Sequence, residues 1–395
     1  MISRREFHAA LAFVLATSLA VTPAHALVTL NDGHDKIFVS GSVSVSRDSN
    51  VFANSDNKGD FVYSTSLSAE YTRRAGWIGV NANASVSSSR FGTLEGQDFD
   101  NPSLGLEFTK QSGRTTGSLT FSAARESRAD ASVNVRSSSW NIPVGLNFKY
   151  PIAGTYTLAG SLGYSSRRYL DETVFASLTS ISASLDLFHI LTTERDMLLG
   201  YRYRHNETSR DTSSVDHGFS LGINGKLIRG VSGSLRAGYQ VRIPRTRLGE
   251  QPAIKSWTIA SPASFSISKK LNLNGSIAKD LAITATDSFV DTTTATIDTQ
   301  YAYNSHLSFT ASATFGDSRF LGETGRVVLT GATPAVFDFD GTLLVPAFPA
   351  VLGPNRHDNY FTWSANLGYS LNEHFKASLS YSWFQNWSTI EFADF

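Results

Sequence analysis

There is no cysteine among the 395 residues. That excludes a disulfide framework, a zinc knuckle and thiol chemistry. Neither sign of charge is in excess, with 34 Lys+Arg against 34 Asp+Glu, so the chain exerts no electrostatic pull on nucleic acid. Past the N-terminal segment there is no long apolar run, although 41% of the residues are hydrophobic. A membrane-spanning helix needs about eighteen or more consecutive apolar residues, so a helical membrane protein is excluded.

What is abundant instead is Ser, Thr, Gly and aromatic residues, which favour strands and turns. The stretch from Asn359 to Phe384 shows the recurring pattern. Phe361, Trp363, Ala365, Leu367, Tyr369 and Leu371 alternate with polar or small residues, and a turn follows at Asn372-Glu373-His374. Phe375, Ala377, Leu379, Tyr381 and Trp383 then alternate with Lys376 and serines. A period of two gives each strand one apolar and one polar face. Each run has about eleven residues, the length a tilted strand needs to cross a bilayer core. The aromatics fall near the run ends, where interfacial girdles belong.

The same pattern runs through the chain, from Ile37–Ser46 onward, with connections that alternate short and long. Tight turns such as 73–76 and 151–154 alternate with longer polar loops such as 47–60 and the charged segment from Arg125 to Ser137. A water-soluble sandwich also alternates, but it needs neither bilayer-length strands nor alternating loop lengths. The expected fold is therefore all-β, a transmembrane antiparallel up-and-down barrel of about eighteen strands, with about sixteen as the next count. The clear alternation ends one strand short of that number. The residues left for the last strand are Trp387 to Phe395, where Glu391 and Asp394 interrupt both registers. Phe395 resembles the terminal aromatic that bacterial barrels present to their assembly machinery, the partner expected at that strand.

Residues 1–26 read as a signal peptide. Arg4 and Arg5 are its charged region, Ala9–Val21 its apolar region and Ala24-His25-Ala26 its cleavage site. The stretch Ser3–Phe7 also resembles a twin-arginine signal, although a barrel is expected to travel unfolded by the general route. Residues 27–395 form the barrel, with a long connection at 316–358 that lies outside or folds inward.

The segment from Val43 to Tyr71 resembles the opening of the β-barrel porin 2 family of Gram-negative outer-membrane proteins. Asp48, Ser49, Asn50, Val51, Phe52 and Asp60 carry the likeness. The resemblance implies an outer-membrane barrel, often associated with exopolysaccharide production and export. It supplies no catalytic residues.

Two constellations could carry enzyme chemistry. Val336–Leu343 resembles the first motif of haloacid-dehalogenase-type phosphatases, with Asp338 as nucleophile and Asp340 as acid/base. That motif needs a parallel α/β domain after it, and only hairpin pattern follows. The plain reading is an Asp-Gly turn, with a surface Ca²⁺ site on the two aspartates as the other option. Asp216-His217 beside Ser213 and Ser214 suggests a hydrolase triad. Adjacent strand residues point to opposite faces, so Asp216 could not orient His217. No enzyme, cofactor or metal site is expected.

The polar face is small and uncharged over most of the chain, as in Ser40, Ser42, Ser66, Ser85, Ser161 and Thr296. About eighteen strands give a backbone diameter of roughly 35 Å, too wide for such side chains to fill. Water or an inserted segment must occupy the lumen, and the 316–358 connection is the expected insert. Arg202, Arg204, Arg236 and Arg242 share the inward parity, with Arg167 near the mouth. Such arginines favour anions in a pore, unless Glu70, Glu107, Asp186 or loop acids pair with them. Asp338 and Asp340 are expected to oppose them on a constriction loop. The expected function is a porin-like channel for polar solutes, polysaccharide among them, contacting outer-membrane lipid. The alternative is a non-conducting structural partner of a surface polysaccharide machine.

Overall fold

The computed structural model describes residues 28–390, apart from 32–33, 55, 75, 131–134, 174, 247–248, 323–325, 331–335, 338–342, 346–350 and 373. The first half comprises β1 (Val28–Leu30), β2 (Asp35–Asp48), β3 (Asp60–Arg73), β4 (Gly79–Phe91), β5 (Phe99–Lys110) and β6 (Thr116–Asp130). Next come β7 (Val135–Ala153), β8 (Tyr156–Tyr169), β9 (Leu178–Thr192), β10 (Arg195–Thr208), β11 (Ser213–Ile228) and β12 (Val231–Thr246). The stub β13 (Gly249–Glu250) precedes β14 (Ile254–Ser266), β15 (Leu271–Ile283), β16 (Phe289–Ala302) and β17 (Leu307–Leu321). Inside the long connection lie β18 (Arg326–Thr330), β19 (Val336–Phe337), β20 (Leu343–Val345) and β21 (Val351–Asn355). The chain closes with β22 (His357–Ser370) and β23 (Lys376–Ser388).

Setting aside the stub β13, one sheet holds eighteen antiparallel strands in up-and-down order, as the alternation predicts. The count is right but the extra strand is not at the C-terminus. Trp387 and Ser388 still belong to β23, opposite Asn359 and Asp358, and 391–395 lie outside the described residues. The extra strand is the short β1, antiparallel to β2 with Val28 opposite Ile37. Ile37 faces Tyr71 on its other side, so β1 takes the edge of β2 that a closing strand would use. Among the described residues no ladder joins β23 to β2. Periodicity could not identify so short an edge strand.

The outer face is apolar, with Leu67 56% exposed, Phe219 62%, Leu221 61%, Trp257 56% and Ile297 56%. An apolar face this extensive is costly in water and suits lipid. No helix among the described residues is long and apolar enough to cross a membrane; the strands provide the crossing. The inner face is a lattice of cross-strand hydroxyl pairs. Ser40–Ser68, Ser42–Ser66 and Ser161–Ser184 each meet at 2.7 Å, and Ser85–Ser103 at 2.6 Å.

The hairpins at the long-loop end are taller than the alternation suggests. The segment 125–137, expected as a loop, continues as strand to Asp130 on β6 and from Val135 on β7. Likewise β15 runs past Ile277 to Ile283, and β16 starts at Phe289, before Ala295. Apolar alternation is required only where a strand meets lipid, so it falls silent above that band.

Candidate functional site: a latched hairpin in the lumen

The β14–β15 ladder stops at Ile259 opposite Lys279. Above that level β14 pairs with β12 alone, while the β15–β16 tip bends inward across the inner face of β10–β12. Leu281 (0% exposed) and Phe289 (3%) are buried there. An open lumen would leave Arg242 and Gln240 solvated, yet they are 0% and 1% exposed.

Arginines hold the tip. Arg242 donates twice to Asp216, at 2.7 and 2.8 Å, and also to the carbonyls of Ala282 (2.8 Å) and Leu281 (3.1 Å). Its guanidinium lies 5.6 Å from the Phe289 ring. Arg204 donates to Asp216 at 2.8 Å and to the Leu281 carbonyl at 2.7 Å. It also reaches Asp280, 3.2 Å away, which accepts from Arg202 at 2.8 Å. Arg202 donates to Gln240 at 2.8 Å as well. Three arginines thus meet two aspartates, leaving one net positive charge, and the surplus donors are spent on tip carbonyls. Three further hydrogen bonds fix the end of the tip. The Thr208 and Thr212 hydroxyls donate to Asp287 at 2.8 and 2.6 Å, and the Ala176 N–H donates to the Ala285 carbonyl at 2.8 Å.

Arg236 lies apart from this latch. It donates to Asp186 at 2.7 Å, reaching from β12 to β9 across Ser220 and Gly200. A Cβ on Gly200 would come within 2.3 Å of an Asp186 oxygen, so glycine there keeps the path open. Arg202, Arg236, Ser220, Thr258 and Asp280 line a niche beneath the tip. Arg167 donates to Glu126 at 3.4 Å.

A second tip bends inward on the other half of the sheet. The β5–β6 ladder ends at Ser103 opposite Ala124, and the β6–β7 tip leans over β4 and β5. Arg136 sits 5.0 Å from the Phe91 ring and 4.6 Å from the Phe99 ring. The base of the long connection uses the same device, with Arg356 4.8 Å from the Phe320 ring. From there β18 pairs with β21 and β19 with β20.

Of the four lumen arginines named from the sequence, Arg202, Arg204 and Arg242 come together at the latch, and Arg236 lies apart on Asp186. Asp338 and Asp340, the expected constriction residues, lie outside the described residues. The acids that do face these arginines are Asp186, which the sequence nominated, and Asp216 and Asp280, which it did not. Asp280 carries an available signal, since it shares the inward parity of Ala278. Asp216 and His217 point to opposite faces: His217 accepts from or donates to the Tyr201 hydroxyl at 2.8 Å on the outer side. Among the described residues no group of His, Cys, Asp or Glu is arranged to hold a metal ion.

No protein-family model matches the sequence, and no curated protein is similar to it, so the porin 2 resemblance gains no support. Solved structures do show likeness. The FrpB iron transporter from Neisseria meningitidis (F3-3 variant) superposes with a TM-score of 0.49 at 10% identity, covering 92% of this chain and 63% of that one. The siderophore receptor PirA from Pseudomonas aeruginosa gives 0.44 at 9% identity, covering 89% and 71%. The alcaligin receptor FauA from Bordetella pertussis gives 0.42 at 10% identity, covering 93% and 62%. This chain therefore spans under two thirds of the length of FrpB. Likeness at this level carries no argument about cargo. The chain's own ladder and faces define its class, a transmembrane antiparallel up-and-down β-barrel.

Proposed function

We propose that the protein is an outer-membrane channel for small polar solutes, constricted at its outer mouth by the β15–β16 tip. The carrying observation is the burial of Arg242 beneath that tip and of Leu281 on the tip's underside, against a wall otherwise lined by small hydroxyls. A wide barrel with such a wall holds water, and a segment pinned across it narrows the passage. The net positive charge of the latch and the partly exposed Arg236 favour anions. In this reading the long loops face outward and the tight turns face the periplasm. The connection between β17 and β22, residues 322–356, then stands on the outer side, and a signal peptide at 1–26 delivers the chain. An association with exopolysaccharide export rests on the resemblance of residues 43–71 alone. The alternative, a closed scaffold in such a machine, remains the outcome to exclude.

Planar-bilayer recording tests this. The wild-type protein conducts with anion preference, and replacing 280–291 by a tight turn raises single-channel conductance severalfold. Arg202→Glu with Arg236→Glu moves selectivity toward cations. Silence from both the wild-type and the shortened protein overturns the channel reading in favour of the scaffold.

A further inference from the structure

The outward residues of β6, β7 and β8 fall in direct register, and the rows read as a depth gauge. Leu119, Leu146 and Leu162 form one row, and Phe121, Val144 and Tyr164 the next toward the long loops. Ile142 and Ser166 follow, with Ser166 covered at 2% exposure, and then Arg125, Trp140 and Arg168. Successive rows lie about 6.8 Å apart along a strand, roughly 5 Å in depth once strand tilt is included. The last row therefore stands about 15 Å above the leucines. With the leucine row at the middle of the hydrocarbon, that is the level at which hydrocarbon gives way to headgroups, and Trp is the residue expected there.

The two arginines differ from every arginine of the latch. The lumen guanidiniums are all ion-paired. Neither Arg125 nor Arg168 has a hydrogen-bond or salt-bridge partner among the described residues, and the Nε of Arg125 is buried without an acceptor. The carboxylate whose field Arg125 feels is Asp100, already held by Ser88 at 2.6 Å and Arg90 at 2.9 Å. A guanidinium at this level that the protein gives no counter-charge can take one from an anionic headgroup through its accessible N–H groups.

We propose that Arg125, Trp140 and Arg168 form a binding site for the phosphate groups of an anionic glycolipid in the outer leaflet. The two guanidiniums flank one indole across three adjacent strands. They clamp phosphate from both sides with charge-assisted hydrogen bonds, while acyl chains lie on the Phe121–Val144–Tyr164 and leucine rows below. The proposal rests on the outer-membrane reading above.

The test uses the full-length barrel refolded in detergent and offered bisphosphorylated lipid A, with retained lipid read by native mass spectrometry. Wild-type protein holds lipid A about tenfold more tightly than the Arg125→Gln/Arg168→Gln variant. Lysine at both positions restores most of that binding. Lipid A stripped of phosphates binds wild type and variant equally weakly, and inorganic phosphate does not displace the lipid. Equal retention of intact lipid A by wild type and the glutamine variant overturns the site, and so does displacement by inorganic phosphate, which would mark a free-anion site. Heat-dependent gel mobility is followed in parallel. Its absence in the wild type would count against the membrane-barrel reading, whereas normal mobility with equal lipid retention counts against this site alone.

Discussion

The two inward tips solve one problem by different chemistry. The β15–β16 tip is held by paired charge, with Arg204 and Arg242 shared between Asp216 and backbone carbonyls. The β6–β7 tip is held by one guanidinium between two phenyl rings. A buried ion network fails as a whole when one member is removed, because the partner's charge stays behind. An arginine on aromatic faces loses only its own contact when removed. The first arrangement therefore defines a single position, and the second tolerates adjustment.

Removing Arg242 tests that difference hardest. Arg242→Met leaves the 2%-exposed Asp216 with one guanidinium instead of two. The tip should lose about 3–5 kcal/mol of local stability, read as faster amide exchange across 281–291. Adding Asp216→Asn should recover part of it. Unchanged exchange in Arg242→Met would show that apolar burial of Leu281 and Phe289 holds the tip without the ion network.

Arg136→Ala is the smaller lesion. It should cost about 1–2 kcal/mol and speed exchange in 127–130 and 135–138, leaving 281–291 as in the wild type. Coupling between the two tips would appear as a change in both.

Smaller still is an acid effect on the floor beneath Arg136. Asp60, at the long-loop end of β3, accepts from the N–H groups of Phe61, Thr93 and Leu94, each at 2.8 Å. Burial pushes its carboxyl up, but these backbone donors outweigh that and hold it below the usual carboxylate range. A depressed carboxyl contributes stability that is present above its ordinary pKa and lost as pH falls through the folded one. Exchange protection of 92–98 should therefore hold at about pH 5 and fade only below the ordinary range. Asp60→Asn should abolish that dependence.

The wall of the barrel was legible because lipid imposes a strict requirement on every second residue. Leu119, Leu146 and Leu162 could hardly be placed otherwise. The arginines were legible for the same reason, since a charge on the inward parity stands out among serines. The tips were not. The outward-parity face of 279–291 packs on protein instead of lipid, with Leu281 and Phe289 buried, so Lys279 and Asp291 can pair at 2.7 Å where that parity would otherwise call for apolar side chains. Nor does sequence spacing predict that Arg204 meets Asp280, because the inward bend of β15 creates that contact. The long connection was expected to supply the constriction acids; the acids described around these arginines come from the wall and from a shorter hairpin.

The paired serines bear on speed. Ser40 with Ser68, and Ser42 with Ser66, spend a hydroxyl proton on each other across the strand boundary. Within each pair one hydroxyl donates and the other keeps its proton, so in the proposed channel the wall would offer a passing solute neutral hydroxyls that are already half satisfied. It wets readily but grips weakly, so a sugar or small acid drifting past has little reason to linger. In the proposed channel, residence time would then be concentrated at one place, beside the charged tip, while the rest of the passage would act as a low-friction surface.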